Sequence, residues 1–211
     1  MKNEIKKENS QIPLGAFEKK TFDTIVAENE FKTVVEKCKD FVNKDCREYW
    51  FMTLYGSTGT CKTHLAWAMG IEALKTREVI YWQVAEMLDL LQCSQFDMSY
   101  MGIINKIKTV DFLILDDFAD YKDTDFRTEK MDMLINYRYE NYLDTVITTN
   151  KNLKELVLFN QRIASRLLGQ ATLSMTGNDY RIIYKQNNDI FKPTDKPLLR
   201  GKYVVKRESE W

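Results

Sequence analysis

The sequence predicts an α/β protein in which an open, mostly parallel sheet is covered by helices on both faces. Short apolar runs alternate with segments of helical periodicity along much of the 211-residue chain, as in repeated strand–helix units. The apolar run 112–115 shows no alternation with polar residues, which indicates a parallel strand buried on both faces. Polar residues follow three of the runs, at 56–63, at Asp116 and Asp117, and at Asn150. Because ligands bind at the carboxyl ends of strands in such sheets, these positions predict one shared site.

Periodicity places the individual elements, since apolar residues three and four apart predict helices and short β-rich runs predict strands. An irregular arm is expected at 16–26, before the first long helix. Strands are predicted at 50–55, 79–82, 111–117, 144–150 and 171–176. Helices are predicted at 28–46, 63–74, 85–91, 103–107, 128–142, 152–158 and 160–168.

The stretch 54–66 joins a strand end, a glycine-bearing turn and a helix start. This is the layout of a phosphate-binding P-loop, G-x-x-x-x-G-K-[ST], whose backbone N–H groups and helix dipole attract phosphate oxygens. Lys62 would reach the β- and γ-phosphates, and Thr63 would offer its hydroxyl to Mg²⁺. The predicted nucleotide-binding residues are Gly56, Ser57, Thr58, Gly59, Thr60, Cys61, Lys62, Thr63 and His64.

Cys61 occupies the position at which the P-loop pattern has its second glycine. Glycine is favoured where the backbone takes a positive φ or must come close to a ligand. Because cysteine is small, we expect nucleotide binding to be retained but weakened. A redox-sensitive thiol at a helix start is the alternative interpretation.

Two acids and an amide end neighbouring predicted strands. Asp116 is placed to hold Mg²⁺ directly or through water, as a partner of the P-loop threonine. Asp117 would project to a different side and orient or deprotonate an attacking water. Asn150 follows two threonines, and its amide would position that water or contact the γ-phosphate. Two acids at a solvated strand end are the plainer alternative, and the P-loop upstream disfavours it.

Arg162 and Arg166 lie four residues apart on one face of a predicted helix. They form either a solvated basic face or an arginine finger, in which one of them reaches the nucleotide of a neighbouring subunit. His64, the only histidine, is expected to pack or hydrogen-bond at the helix start rather than to act as a base.

Composition narrows the class of protein. The 31 basic and 31 acidic residues balance, so no strong overall field for nucleic acid follows. The four cysteines fit no zinc spacing and suit a reducing compartment. The Lys/Glu-rich start and the lack of a long apolar run predict a cytoplasmic protein without a membrane partner.

The sequence resembles the AAA+ initiator and helicase-loader group, in particular the DnaC/DnaI-type replicative helicase loaders and the related IstB-type transposition helpers. The resemblance covers roughly residues 12–185, with its motifs in the family's order and spacing. The motifs are the stretches 56–66, 112–117, 137–140, 147–150, 162–167 and 179–181.

The resemblance implies a three-layer P-loop NTPase fold with an AAA+ core that binds ATP or ADP with Mg²⁺. It implies a Walker A site at 56–63, a Walker B pair at Asp116 and Asp117, and sensor 1 at Asn150. It also implies an arginine finger between Arg162 and Arg166, for which Arg166 is the first choice. On this basis the catalytic residues are Asp117, Asn150 and Arg166, and the metal ligands are Thr63 and Asp116.

The resemblance also implies slow, oligomer- or DNA-dependent hydrolysis, self-association through the ATP site, assembly on a hexameric replicative helicase, and contact with single-stranded DNA. Within the DNA-facing region 92–108, the candidate DNA contacts are Phe96, Tyr100, Lys106 and Lys108. The expected organisation is a disordered leader at 1–12, an ATP-binding domain at 13–186 and a basic tail at 187–211, with little or no lid domain.

The favoured function is therefore loading of a replicative helicase by an ATPase. One alternative is an IstB-like transposition helper that binds duplex DNA and a transposase. Another is a nucleotide-gated binding factor with little turnover, as a consequence of Cys61. A small-molecule kinase would also use a P-loop, but the sequence shows no acceptor-substrate site.

Overall fold

A computed structural model describes residues 7–27, 30–43, 48–94, 99–122, 124–175 and 198–199. Its strands are β1 (Val26–Ala27), β2 (Phe51–Tyr55), β3 (Val79–Gln83), β4 (Phe112–Asp116), β5 (Asp144–Thr149), β6 (Ala171–Ser174) and β7 (Leu198–Leu199). Five of them form a parallel sheet in the order β3-β4-β5-β2-β6. The two short strands β1 and β7 pair separately, also in parallel.

Helices cover both faces of the sheet. They are α1 (Ala16–Lys19), α2 (Glu30–Asn43), α3 (Lys62–Ala73), α4 (Val84–Ser94), α5 (Tyr100–Thr109), α6 (Asp125–Glu140), α7 (Leu153–Phe159) and α8 (Gln161–Leu168), with a 3₁₀ turn at Phe22–Thr24. One core lies between the sheet and α2 and α3, and the other lies between the sheet and α4 to α8. The predicted layered α/β architecture is confirmed.

Strand β4 shows why its sequence lacks alternation. Phe112 and Ile114 pack in the core under α3, while Leu113 and Leu115 pack in the core on the opposite face. Successive side chains of a strand point to opposite faces, and here both faces are buried. This interior strand therefore carries an apolar residue at every position until Asp116.

A buried arginine joins three elements on the second face. Arg138 of α6 is fully buried, and its guanidinium donates to the carbonyls of Ile107, Lys108 and Val110 at the end of α5, at 3.2, 3.0 and 2.9 Å. It also donates to the Asp144 carbonyl at 2.7 Å, at the start of β5. Burial lowers its pKa to about 9, which the charge of Asp144 opposes, so it stays charged at neutral pH. This arginine stabilises the fold.

The expected disordered leader does not extend through residues 7–12. Ser10 and Ile12 are buried, and the Tyr81 N–H donates to the Ser10 carbonyl at 2.8 Å. Strand β3 is an edge strand, and an edge N–H needs a partner. A single apolar residue in an otherwise polar stretch does not form a pattern from which this packing could be predicted.

Other predictions about the termini fall outside the described residues. These are the order of residues 1–6, the basic tail at 187–211 apart from 198–199, and the absence of a lid after the sheet. Within the described part of the chain, no helix is long and apolar enough to cross a membrane.

Candidate functional site

A cavity of about 610 Å³ opens at the carboxyl ends of β2 to β5, where the sequence predicts a ligand site. Ten of the predicted site residues line it: Thr58, Gly59, Thr60, Cys61, Lys62, Thr63, His64, Asp116, Asp117 and Asn150. A volume of this size accommodates a small-molecule ligand. The three strand ends that the sequence singles out therefore meet in one place.

The P-loop follows β2 and needs its glycines. Gly56 has φ +146°, and a Cβ there would lie 2.0 Å from the Met175 carbonyl oxygen. Gly59 has φ +80°, which is also a conformation that favours glycine. A side chain at Gly56 would push the loop off the neighbouring backbone, so this residue fixes where the loop begins.

The Lys62 side chain is enclosed by the backbone of its own P-loop. It is 5% exposed, and its ammonium donates to the carbonyls of Gly56 and Ser57 at 2.8 and 2.7 Å. The Thr60 hydroxyl donates to the Ser57 carbonyl at 2.8 Å, and this hydrogen bond stabilises the loop around the lysine. A buried ammonium requires such acceptors, and phosphate oxygens are stronger ones. Gly56 and Ser57 thus hold the lysine rather than line the cavity.

Cys61 has the backbone conformation for which glycine is used. It stands directly before α3 with φ 67° and ψ 19°, in the left-handed region. An L-residue pays roughly 1–2 kcal/mol to stay there. The departure from the P-loop pattern is therefore a source of strain, and the loop keeps its shape in spite of it.

Replacing Cys61 by Gly is expected to raise the melting temperature by about 2–4 °C, because about 1 kcal/mol of strain is relieved. Nucleotide affinity should rise as well, because a Cβ that lines the cavity is removed. The matched control is Cys61→Ala, which removes the thiol but keeps the Cβ and its strain. Equal stabilisation of both variants in thermal melts would show that the thiol, and not the backbone, is the cause.

Asp116 ends β4 and accepts hydrogen bonds from three hydroxyls. Thr63 and Thr148 donate to its Oδ1 at 2.9 and 2.5 Å, and Tyr81 donates to its Oδ2 at 2.9 Å. The carboxylate is 3% exposed. The three donors satisfy this buried carboxylate, and hydroxyl and carboxylate oxygens are the ligands that Mg²⁺ prefers.

Asp117 lines the same cavity as Asp116, although the sequence predicts different sides for the two. The chain turns after β4, and Asp117 has φ 54°, so strand alternation no longer applies. Its N–H donates to the Thr148 hydroxyl at 3.0 Å, which ties the turn to β5. Asp117 is half-buried and Asn150 is exposed, and both border the cavity.

The two arginines lie elsewhere in the molecule. Arg166 is half-buried, donates to the Arg162 carbonyl at 2.9 Å, and has its guanidinium 5.9 Å from the centre of the Tyr139 ring. Arg162 is exposed. Neither arginine is among the described residues that line the cavity, so neither reaches the site of its own chain.

His64 lies on the first turn of α3. Burial and the positive charge of Lys20 lower its pKa to about 4, against a hydrogen bond to the Thr21 backbone that raises it. The ring is therefore neutral at pH 7 and a weak base. Its buried Nε2 has no hydrogen-bond partner within the described part of the chain.

Sequence reasoning missed seven residues of the cavity wall: Lys20, Thr24, Ile25, Trp67, Tyr81, Gln83 and Asp120. The first three belong to the arm at 16–26, for which no pattern indicates a site. Tyr81 and Gln83 stand at the carboxyl end of β3. The rule that identified the other strand ends applies to β3 as well, so these two were predictable.

Of the candidate DNA contacts, three are described. Lys106 is exposed on α5, Lys108 is half-buried with its ammonium 4.3 Å from the centre of the Tyr137 ring, and Tyr100 packs against the second core. Phe96 falls outside the described residues. Of the three described candidates, Lys106 is thus the most exposed and the best placed to contact a DNA phosphate group.

Residues 33–188 match the protein family described as IstB-like ATP binding protein. The chain belongs to this family. The match spans most of the sequence and includes the P-loop, Asp116, Asp117 and Asn150, so this IstB-like protein carries an ATP-binding domain with a P-loop. The resemblance stated on the motifs alone is confirmed.

The IstB-like chain is also similar to replication proteins. The chromosomal replication initiator protein DnaA of Geobacter metallireducens is 27% identical over 152 residues, which cover 70% of this chain and 34% of that protein. A structure of DnaA bound to AMPPCP and single-stranded DNA has a TM-score of 0.70 at 22% identity, and covers 81% of this chain and 55% of that one. A structure of the DnaC helicase loader has a TM-score of 0.66 at 21% identity, and covers 75% of this chain and 98% of that one.

At such identities the solved structures show a shared fold. The chain spans about a third of the length of the DnaA relative.

Proposed function

We propose that this IstB-like protein binds and hydrolyses ATP, and that it uses the cycle to load a replicative helicase onto single-stranded DNA. The observation that carries the proposal is the meeting of Lys62, Thr63 and Asp116 in one cavity. Thr63 Oγ1 lies 2.9 Å from Asp116 Oδ1, so a hydroxyl and a carboxylate stand side by side next to the lysine. This is the donor set that holds a metal-bound triphosphate.

The residues present fit ATP with Mg²⁺. When ATP is bound, the Lys62 ammonium gives up its two hydrogen bonds to loop carbonyls and contacts the β- and γ-phosphates instead. The N–H groups at the start of α3 contact the other phosphate oxygens. Thr63 and Asp116 are the residues that would hold Mg²⁺. Mg²⁺ would neutralise the charge that develops on the phosphate oxygens.

Hydrolysis needs a positioned water and a further positive charge. Asp117 and Asn150 also line the cavity, and they orient the water. Arg166 supplies the charge from a neighbouring copy, because it does not reach the cavity of its own chain. Turnover then depends on self-association through the ATP site.

The loading role is supported by likeness in fold. The DnaC structure is that of a helicase loader, and the DnaA structure contains single-stranded DNA. Lys106, exposed on α5, is a suitable contact for a DNA backbone. The alternative is a transposition helper, in which the same ATP-binding domain acts with duplex DNA and a transposase; membership of the IstB-like family is compatible with both roles.

The deciding experiment measures ATP turnover by the purified protein alone, with single-stranded oligonucleotide, and with duplex of the same length. Stimulation by single strands above duplex is the expected result. Stronger stimulation by duplex would replace the loader assignment with the transposition-helper one. Tight nucleotide binding without turnover under any of these conditions would leave a nucleotide-gated binding factor.

A further inference from the structure

Tyr81 is a cavity residue to which the proposed mechanism gives no role. It stands near the end of β3, and its hydroxyl donates to Asp116 Oδ2 at 2.9 Å. The hydrogen bond makes the phenol a donor to one oxygen of the carboxylate.

The donors around Asp116 are divided between its two oxygens. Thr63 and Thr148 share Oδ1, at 2.9 and 2.5 Å, while Tyr81 is the donor recorded for Oδ2. Rotation of the carboxylate about its Cβ–Cγ bond would break the Tyr81 bond. Tyr81 thus keeps Oδ1 on the side of Thr63.

Tyr81 is itself held on two sides. Its ring lies edge-on to Trp67, with centroids 5.9 Å apart, and its backbone N–H donates to the Ser10 carbonyl at 2.8 Å. A donor fixed by packing and by a backbone hydrogen bond can orient a ligand group without moving.

We propose that Tyr81 is a positioning residue for the metal site: it fixes the orientation in which Asp116 and Thr63 together meet a divalent cation bound with the nucleotide. This inference rests on the proposed nucleotide site and adds to it the residue that sets its metal affinity. Mutation of a partner that orients a metal ligand typically lowers metal affinity by about 10–100-fold.

The test is Tyr81→Phe, with a fluorescent ADP analogue as the probe, titrated first in EDTA and then with Mg²⁺. Nucleotide affinity in EDTA is expected to match that of the wild type, because the ring and the P-loop are unchanged. The Mg²⁺ concentration at half-saturation is expected to rise about 10-fold, since outer partners of metal ligands typically contribute at least that much. Tyr137→Phe, which removes the hydroxyl of a tyrosine on α6 that is not among the described lining residues of the cavity, is the matched control and should change neither value.

Two further variants separate positioning from packing. In an Asp116→Asn background, Tyr81→Phe should have no additional effect on the Mg²⁺ requirement, because the group on which Tyr81 acts is already changed. Replacing Tyr81 by 4-aminophenylalanine restores a donor at the same place and should return the Mg²⁺ requirement towards the wild-type value. This variant also decides the matter if Tyr81→Phe lowers the melting temperature too far for binding to be measured.

The inference is overturned if Tyr81→Phe leaves the Mg²⁺ requirement unchanged, or if it weakens binding equally in EDTA and in Mg²⁺. Because the readout is binding, a protein that neither turns over ATP nor loads a helicase still tests it. Absence of nucleotide binding by the wild-type protein would overturn both this inference and the proposed function.

Discussion

Replacement of Lys62 by Ala is expected to weaken ATP binding by about 100-fold or more, because hydrogen bonds to charged groups contribute roughly 1.5–3 kcal/mol each and the lysine offers more than one. Lys62 is the only lysine or arginine of the P-loop, and it lines the cavity together with Thr63 and Asp116. Equilibrium titration with a fluorescent ATP analogue measures the loss directly.

The variant also removes the two hydrogen bonds that Lys62 makes to Gly56 and Ser57, so loop stability must be separated from phosphate binding. Melting temperatures of the nucleotide-free proteins report the first effect, and titrations report the second. Lys154→Ala makes the same charge change at an exposed position on α7 and should bind ATP as the wild type does. Near-normal binding by Lys62→Ala would rule out this cavity as the phosphate site.

The strand ends show what the sequence predicts well. Asp116, Asn150 and the P-loop were placed together from one rule, because parallel strands deliver their carboxyl ends to one edge of the sheet. The strain at Cys61 was also foreseeable, since the P-loop pattern has glycine at that position and the residue does adopt a positive φ. Both inferences depend on backbone geometry, which short motifs specify closely.

Other features depend on contacts between segments that are distant in the chain. The Ser10 carbonyl can accept the hydrogen bond of the Tyr81 N–H because β3 is the edge strand of the sheet. The order of strands in a sheet cannot be predicted from the sequence of one strand, so this contact could not be predicted. Asp117 shares the cavity with Asp116 because of one turn residue with positive φ. The hydroxyls of Tyr81 and Thr148 donate to Asp116 from two different strands, and no motif or spacing in the sequence predicts these hydrogen bonds.

Replacement of Arg166 by Ala is expected to leave ATP binding as in the wild type and to lower turnover by about 1,000-fold, the lower end of what an arginine finger contributes. The reason is positional: Arg166 lies over the Tyr139 ring and is not among the described residues that line the cavity of its own chain, so its proposed role is in the site of a neighbouring copy. Arg162→Ala is the matched control on the same helix, and its effect on turnover should be much smaller. A larger loss in Arg162→Ala would transfer the finger to that residue.

A mixing experiment tests the action between subunits directly. Lys62→Ala protein cannot use its own site but keeps Arg166, and Arg166→Ala protein keeps its site but lacks the finger. If the arginine acts in trans, mixing the two inactive variants creates interfaces that combine an intact P-loop with an intact Arg166, and turnover returns in part. Turnover that stays at the level of the separate variants, in a mixture shown by light scattering to assemble as the wild type does, would mean that Arg166 does not complete a neighbour's site.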